Sequence, residues 1–261
     1  MAATMSCELA SRQSGFTGVW RGTPGRSNFS AMHFAPLGDR ALLITLGHTI
    51  DDSTRRTVQA ALQRLDGADI PGITELVPAF ASIAVHYDPA VLAEHAAAPP
   101  YTRLVSSLEG ALADLADDDL PPARLVEIPV CYGGDLGPDL GDVAARHELS
   151  ADEVIALHTA AEYRVHMIGF MPGFAYLGGL PEAIVTPRRD TPRTAVPAGS
   201  VGIGGAQTGI YPLVSPGGWH LIGRTPLRMF DVSRKPAALL ATGDRVRFRR
   251  VGEDEFHALA S

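Results

Sequence analysis

From Tyr163 to Arg228 the chain is broken so often by glycine and proline that a long helix is excluded. Between 169 and 218 glycine occupies 169, 173, 178, 179, 199, 202, 204, 205, 209, 217 and 218, and proline 172, 181, 187, 192, 197, 212 and 216. Short runs of Val, Ile, Leu, Tyr and Phe separate these breakers, whereas a flexible linker is polar and poor in aromatics. The pattern predicts closely spaced short strands and tight turns, many at the positive φ that glycine adopts cheaply. Such a surface aims many backbone N–H groups in fixed directions, which suits carboxylates, amides or phosphates. This stretch is the expected functional core.

The preceding half has different periodicities. His33–Leu46 combines a turn at 37–39 with an apolar β run. From Asp52 the apolar face Thr54, Val58, Ala61, Leu62 and Leu65 has helical spacing. Pro71-Gly72 ends it, and strands are predicted over 73–77 and 80–87. A second helical pattern runs over 101–115, followed by a strand over 125–130. The order β-α-β-β-α-β is that of the ferredoxin-like split unit, placed at 32–131 with a packing or assembly role.

The turn-rich Tyr132–Pro138 marks a boundary. Short helices are predicted over 139–147 and from a capping box at Ser150 and Glu153. His158 falls near the end of the second, where the helix dipole favours a charged imidazole; a lone histidine there is more often structural than catalytic. Residues 132–261 are otherwise β-rich, and barrel or sandwich closure would remove the many strand edges. The expected class is therefore α+β, a ferredoxin-like domain followed by a β-barrel. Residues 1–31 hold Arg12, Arg21 and Arg26 and no apolar core of a secretory signal. They are expected to be an extension, disordered or arising from a misassigned start.

Composition removes several classes. A net charge of −7 in 261 residues lacks the basic stripe of a nucleic-acid binder. No 18-residue apolar run suggests a membrane span. Cys7 and Cys131 form neither a disulfide framework nor a zinc pattern, which points to a reducing, cytoplasmic compartment and no protein-held metal. Ala198 stands where a G-x-S-x-G elbow around Ser200 needs glycine. Gly202-Ile203-Gly204-Gly205 lacks the βαβ context of a dinucleotide loop, and the single lysine, Lys235, excludes a P-loop. What remains is an anion-recognition constellation. Arg188, Arg189, Arg193 and Arg224 lie among glycine turns, with Gln207, Thr208, Tyr211 and Trp219 as hydrogen-bonding and stacking groups. The alternative is that these arginines are solvated and the aromatics fill a small core.

The segments GFMPGFAYLGGLP, PRRDTPRTAVPAGSVGIGGAQTGIYP and SPGGWHLIGRTPLRMFD resemble the signature of the B-subunit family of 5-oxoprolinase. That family includes the sporulation kinase inhibitor and was formerly labelled allophanate hydrolase subunit one. The likeness extends through GDRALLITLG, ELVPAF, CYGGDLGPDL and GDRVRF, roughly residues 33–251. It implies a cyclophilin-like barrel after the α/β domain. It also implies a homologous C subunit and an A subunit, which together open 5-oxoproline to glutamate with ATP, and Mg²⁺ as the companion of ATP. In that scheme B and C activate the lactam by phosphorylation, and the chain is inert alone. Arg193, Arg224 and Gln207 are then expected to be catalytic. Arg188, Arg189, Ser200, Gly202, Gly204, Thr208, Tyr211, Trp219 and His158 are expected to hold substrate or nucleotide. The family's other branches imply a sensor histidine kinase as an alternative partner, or an allophanate- or carboxyltransferase-like activity. The sequence departs from the pattern at His166, where relatives usually carry an aromatic, and at Gly204, where alanine is common.

Overall fold

A computed structural model of the chain describes residues 32–93, 98–115, 120 and 122–260. The expected extension at 1–31 lies outside them. Strands β1 (His33–Pro36) and β2 (Ala41–Thr45) form a hairpin, and α1 (Asp52–Asp66) follows. Asp51 caps α1 by accepting the Thr54 N–H at 2.8 Å. Its buried face, Val58, Ala61 and Leu65, is the one the periodicity predicts. Next come β3 (Ile73–Pro78), β4 (Ser82–Tyr87), the short α2 (Pro89–Ala93) and α3 (Pro100–Leu112). The four strands make an antiparallel sheet in the order β1-β2-β4-β3. Both long helices cover it, burying Leu42, Ile44, Ile83, Val85, Leu104 and Leu108 in one core.

One expected strand has a different destination. β5 (Leu125–Tyr132) does not return to this sheet; β1 occupies the edge beside β2 that a split unit gives to its last strand. β5 instead pairs in parallel with β13 (Arg245–Arg250) and antiparallel with β12 (His220–Arg224). Its apolar residues Ile128 and Val130 bury in the second core. Strand propensity sets that β5 is a strand, but its partner β13 is too remote in sequence for local pattern to choose it.

The second unit contains α4 (Leu140–Arg146), α5 (Ala151–Ala160), β6 (Tyr163–Ile168), β7 (Ala175–Gly178), β8 (Arg193–Val196), β9 (Ser200–Gly204), β10 (Gln207–Ile210) and β11 (Ser215–Gly217). A closed barrel runs β10-β7-β6-β13-β5-β12-β9, and β8 and β11 make a separate two-stranded ribbon. Both bonds of the Ser150–Glu153 capping box are present. A last helix, α6 (Glu253–Ala260), packs Phe256 against Cys131 and Val251. Among the described residues no helix is long and apolar enough to cross a membrane.

The turn Gly134–Leu136 is wedged against β12 through Gly137. A Cβ there would lie 2.1 Å from the Ile222 carbonyl oxygen and 2.6 Å from the Gly133 nitrogen. Both obstacles are backbone, so no rotamer change relieves them. Gly137→Ala is expected to cost about 3 kcal/mol, read as a lower urea midpoint at unchanged m. An unchanged midpoint would contradict this packing.

Candidate functional site

The glycine-dense stretch uses its glycines in two ways. Gly173, Gly179, Gly199 and Gly205 have positive φ, as the turn reading expects. Gly202, Gly204 and Gly209 lie within strands and are small for a different reason. Val201, Ile203 and Ile210 point into the barrel, so alternation directs these three glycines outward. There they make a floor on which Trp219 lies. A Cβ on Gly204 would sit 2.5 Å from the indole, and one on Gly209 3.0 Å from it. Phe174, Tyr211, Leu221 and Val196 complete an apolar cluster outside the barrel wall. The Phe174 ring is edge-on to Tyr176, Tyr211 and Trp219, with centroids 4.8, 5.2 and 5.5 Å away.

Trp219 is therefore a platform rather than a ligand-stacking ring. It is 4% exposed, and Tyr211 is 2% exposed. The Arg188 guanidinium carbon lies 5.9 Å from the indole centroid, within cation–π range. Arg188 is exposed and has no carboxylate partner among the described residues. Gln207 is half-buried on the same outer side; Arg188 and Gln207 each lie two residues beyond a member of the Thr186–Gly205 bridge.

The arginine cluster divides. Arg193 grips Asp139 with a two-pronged fork, Nη1 to Oδ2 at 2.8 Å and Nη2 to Oδ1 at 2.7 Å. Arg189 Nη1 donates to Oδ1 at 3.1 Å, and the Leu221 N–H donates to Oδ2 at 2.7 Å. Asp139 is buried. Burial pushes its carboxyl up, but the Arg193 hydrogen bond, the Leu221 N–H and the two guanidinium charges outweigh this and hold it below the usual range. Arg189 and Arg193 are thus charge-compensated and anchor the β8–β11 ribbon to α4 and β12, which differs from the expected role as free anion receptors. The sequence reading missed Asp139. Its signal was an acid in the glycine-rich CYGGDLGPDL turn, which local pattern marks only as a hinge.

Ser200, Thr208 and His158 are fully buried, and Thr208 and His158 spend their polar atoms on partners inside the barrel, so neither of these two is free to meet a ligand. Thr208 Oγ1 donates to the Gly202 carbonyl at 2.9 Å, so it accepts from His158 Nε2 at 3.1 Å. His158 Nδ1 then accepts from the Tyr132 hydroxyl at 2.8 Å, which fixes the neutral Nε2–H tautomer. The ring stacks on Phe248 at 4.5 Å. The charged imidazole expected at a helix end does not form, because complete burial holds the pKa down at about 3. Desolvation outweighs the dipole. Between pH 6.5 and 3 the unfolded chain then binds a proton at this site and the folded chain does not, so stability falls with acid. The loss from pH 7 to pH 5 is about 2 kcal/mol for this residue. His166 and His220, also lowered chiefly by burial, act in the same direction. Urea denaturation at the two pH values should show the loss, and a His158→Phe variant should show a shallower slope; equal stability at both pH values would contradict it.

His166 packs on Gly178 and faces Phe80 of the first unit at 6.3 Å; Phe80 also meets Tyr176 edge-on at 5.5 Å. The departure at His166 thus lies where the sheet unit touches the barrel. Among the described residues no three His, Cys, Asp or Glu side chains converge in a way that could hold a metal ion.

A closed barrel with a glycine-floored outer face, preceded by a four-stranded α/β unit, defines a protein of the carboxyltransferase C/D type. The family of the carboxyltransferase domain, subdomain C and D, matches residues 32–240. The chain is 45% identical over 225 residues to the 5-oxoprolinase B subunit of Bacillus subtilis (strain 168), covering 85% of this chain and 94% of that one. It belongs to the family of 5-oxoprolinase B subunits. Among solved structures, TTHA0988 superposes with a TM-score of 0.70 at 39% identity, covering 81% of this chain and 40% of that chain. The present chain therefore spans well under half of TTHA0988. The K. lactis urea amidolyase superposes with a TM-score of 0.71 over 92% of this chain and 16% of that chain, and at 19% identity this shows a shared fold alone.

Proposed function

We propose that this chain is the B subunit of an ATP-dependent 5-oxoprolinase. It acts with a homologous C subunit and an A subunit to convert 5-oxo-L-proline to L-glutamate, and it is inactive alone. The observation that carries this reading is the 45% identity across 94% of the Bacillus subtilis relative, a 5-oxoprolinase B subunit. The outer barrel face supports it: Arg188 is an exposed guanidinium with no counter-ion among the described residues, braced on a buried indole.

A lactam is a poor electrophile. When its oxygen takes the γ-phosphoryl group and ADP departs, the ring carbon becomes electrophilic. Water adds there, the C–N bond breaks to free the amine and leave an acyl phosphate, and a second water releases phosphate and glutamate. Phosphoryl transfer draws on positioning and on cations that match the spreading negative charge. In this reading Arg188 meets phosphate oxygens and Gln207 supplies a neutral hydrogen-bonding group beside it. Arg193, spent on Asp139, acts as a positioning residue through the ribbon. Magnesium accompanying ATP takes most of its ligands from phosphate oxygens and water, so it asks little of this chain. The homologous C subunit supplies the wall opposite this face.

The direct test is ADP release by the B–C pair without A. Turnover should rise several-fold on adding 5-oxo-L-proline. A rate indifferent to 5-oxo-L-proline would refute the proposal.

A further inference from the structure

Two buried polar atoms without partners belong to neighbouring residues of adjacent strands. Among the described residues, Ser200 Oγ and Arg224 Nε are both buried and form no hydrogen bond. Their residues are directly paired across β9 and β12. Because Val201 points into the barrel core, Ser200 lies on the outer side, and its cross-strand partner Arg224 shares that side. Ser200 is fully buried and Arg224 partly so.

Several other arginines of this unit are paired with acids. Arg189 and Arg193 hold Asp139, Arg245 holds Glu162, Arg249 bridges Glu127 and Glu255, and Arg250 meets Asp152. Arg224 has none among the described residues. The Nε–H and the adjacent Nη–H of a guanidinium form a side-on fork that matches two carboxylate oxygens, and in Arg224 this fork is open. The backbone beside it is set by Gly199, at φ +81°, whose N–H donates to the Tyr211 carbonyl and whose carbonyl accepts the Thr225 N–H. A Cβ at 199 would stand 2.4 Å from the Thr225 oxygen and 3.3 Å from Arg224 Cγ. Glycine there lets the arginine stem lie against the turn.

We propose that Arg224 and Ser200 form a carboxylate subsite for a small organic acid. The guanidinium fork, with a small swing toward solvent, takes both oxygens, and the serine hydroxyl donates a third hydrogen bond. The proposal rests on the 5-oxoprolinase reading in naming the acid: 5-oxo-L-proline, whose carboxylate is held while its lactam oxygen reacts. Arg224 is then a substrate-holding residue, distinct from the cation that meets the phosphoryl group.

The test uses the full chain labelled with ¹⁵N-arginine, following the Arg224 Nε–H resonance assigned by its loss in Arg224→Lys. Titration with 5-oxo-L-proline should shift it saturably, and 5-oxoprolinamide, which lacks the carboxylate, should leave it in place. Ser200→Ala should weaken binding about 3- to 10-fold without lowering the melting temperature, since its hydroxyl has no partner to lose. No shift with 5-oxo-L-proline, or an equal shift with the amide, overturns the proposal. So does a shift produced only by inorganic phosphate. An Arg224→Lys complex that releases glutamate with unchanged KM for 5-oxo-L-proline removes the subsite and leaves the enzyme reading intact. A wild-type complex that releases no glutamate removes the enzyme reading, while the resonance still decides the subsite.

Discussion

Replacing Asp139 by asparagine is expected to destabilise the protein by about 3 kcal/mol, at the lower end of the cost of breaking a buried ion pair. For a chain of this size that is roughly 10 °C in Tm. The lower end applies because the side chains of Arg189 and Arg193 are 31% and 25% exposed and regain some water. The Leu221 N–H keeps an acceptor in the amide oxygen, so the loss falls on the two guanidinium contacts. The same carboxylate gives a pH signature. Its folded pKa lies below the ordinary value of 3.8, so its stabilisation is present at neutral pH and is lost as pH falls through the acid range below about 4. The Asn variant lacks that component. Thermal denaturation at pH 7 that places Asp139→Asn within about 0.5 kcal/mol of wild type, the usual range for an inconsequential surface change, would show that the ribbon is held otherwise.

Arg188→Ala is expected to leave the fold intact and the reaction impaired. The side chain is exposed and covers one face of an indole, so its loss should move stability by under ~1 kcal/mol. A guanidinium that meets a transferring phosphoryl group is worth up to several orders of magnitude in turnover. For a residue at one wall of a shared site, a drop of about 100-fold in kcat at saturating ATP and 5-oxo-L-proline is the expected result. Arg188→Lys should recover only part, because an ammonium lacks the planar fork. Full activity in Arg188→Ala would place the phosphoryl-handling cation elsewhere.

Local elements are legible where a few neighbouring residues decide them. The α1 face, the Ser150–Glu153 box and the apolar β run that follows the turn at 37–39 all rest on short-range periodicity or capping, and the structure forms each of them, while the extra strand β1 ahead of that turn is unexpected. The destination of β5 is not, because its parallel neighbour β13 lies more than a hundred residues away. The candidate site is legible in its composition and not in its pairing. Four arginines in glycine turns look alike in sequence; the fold brings two of them to Asp139 and one to Trp219, and the fourth, Arg224, has no partner for its Nε among the described residues. Gly202 and Gly204 group with the turn glycines on composition, although strand glycines spaced two apart signal a large side chain lying on that face. That spacing is the signal that places Trp219 under cover.

Glutamate release tests the central account most directly. Purified B, C and A subunits, supplied with ATP, Mg²⁺ and 5-oxo-L-proline, should form glutamate and ADP together, and omission of this chain should abolish glutamate. This chain alone should form neither product. Glutamate formed at the same rate without this chain, or none formed by the full set, would contradict its place as the B subunit.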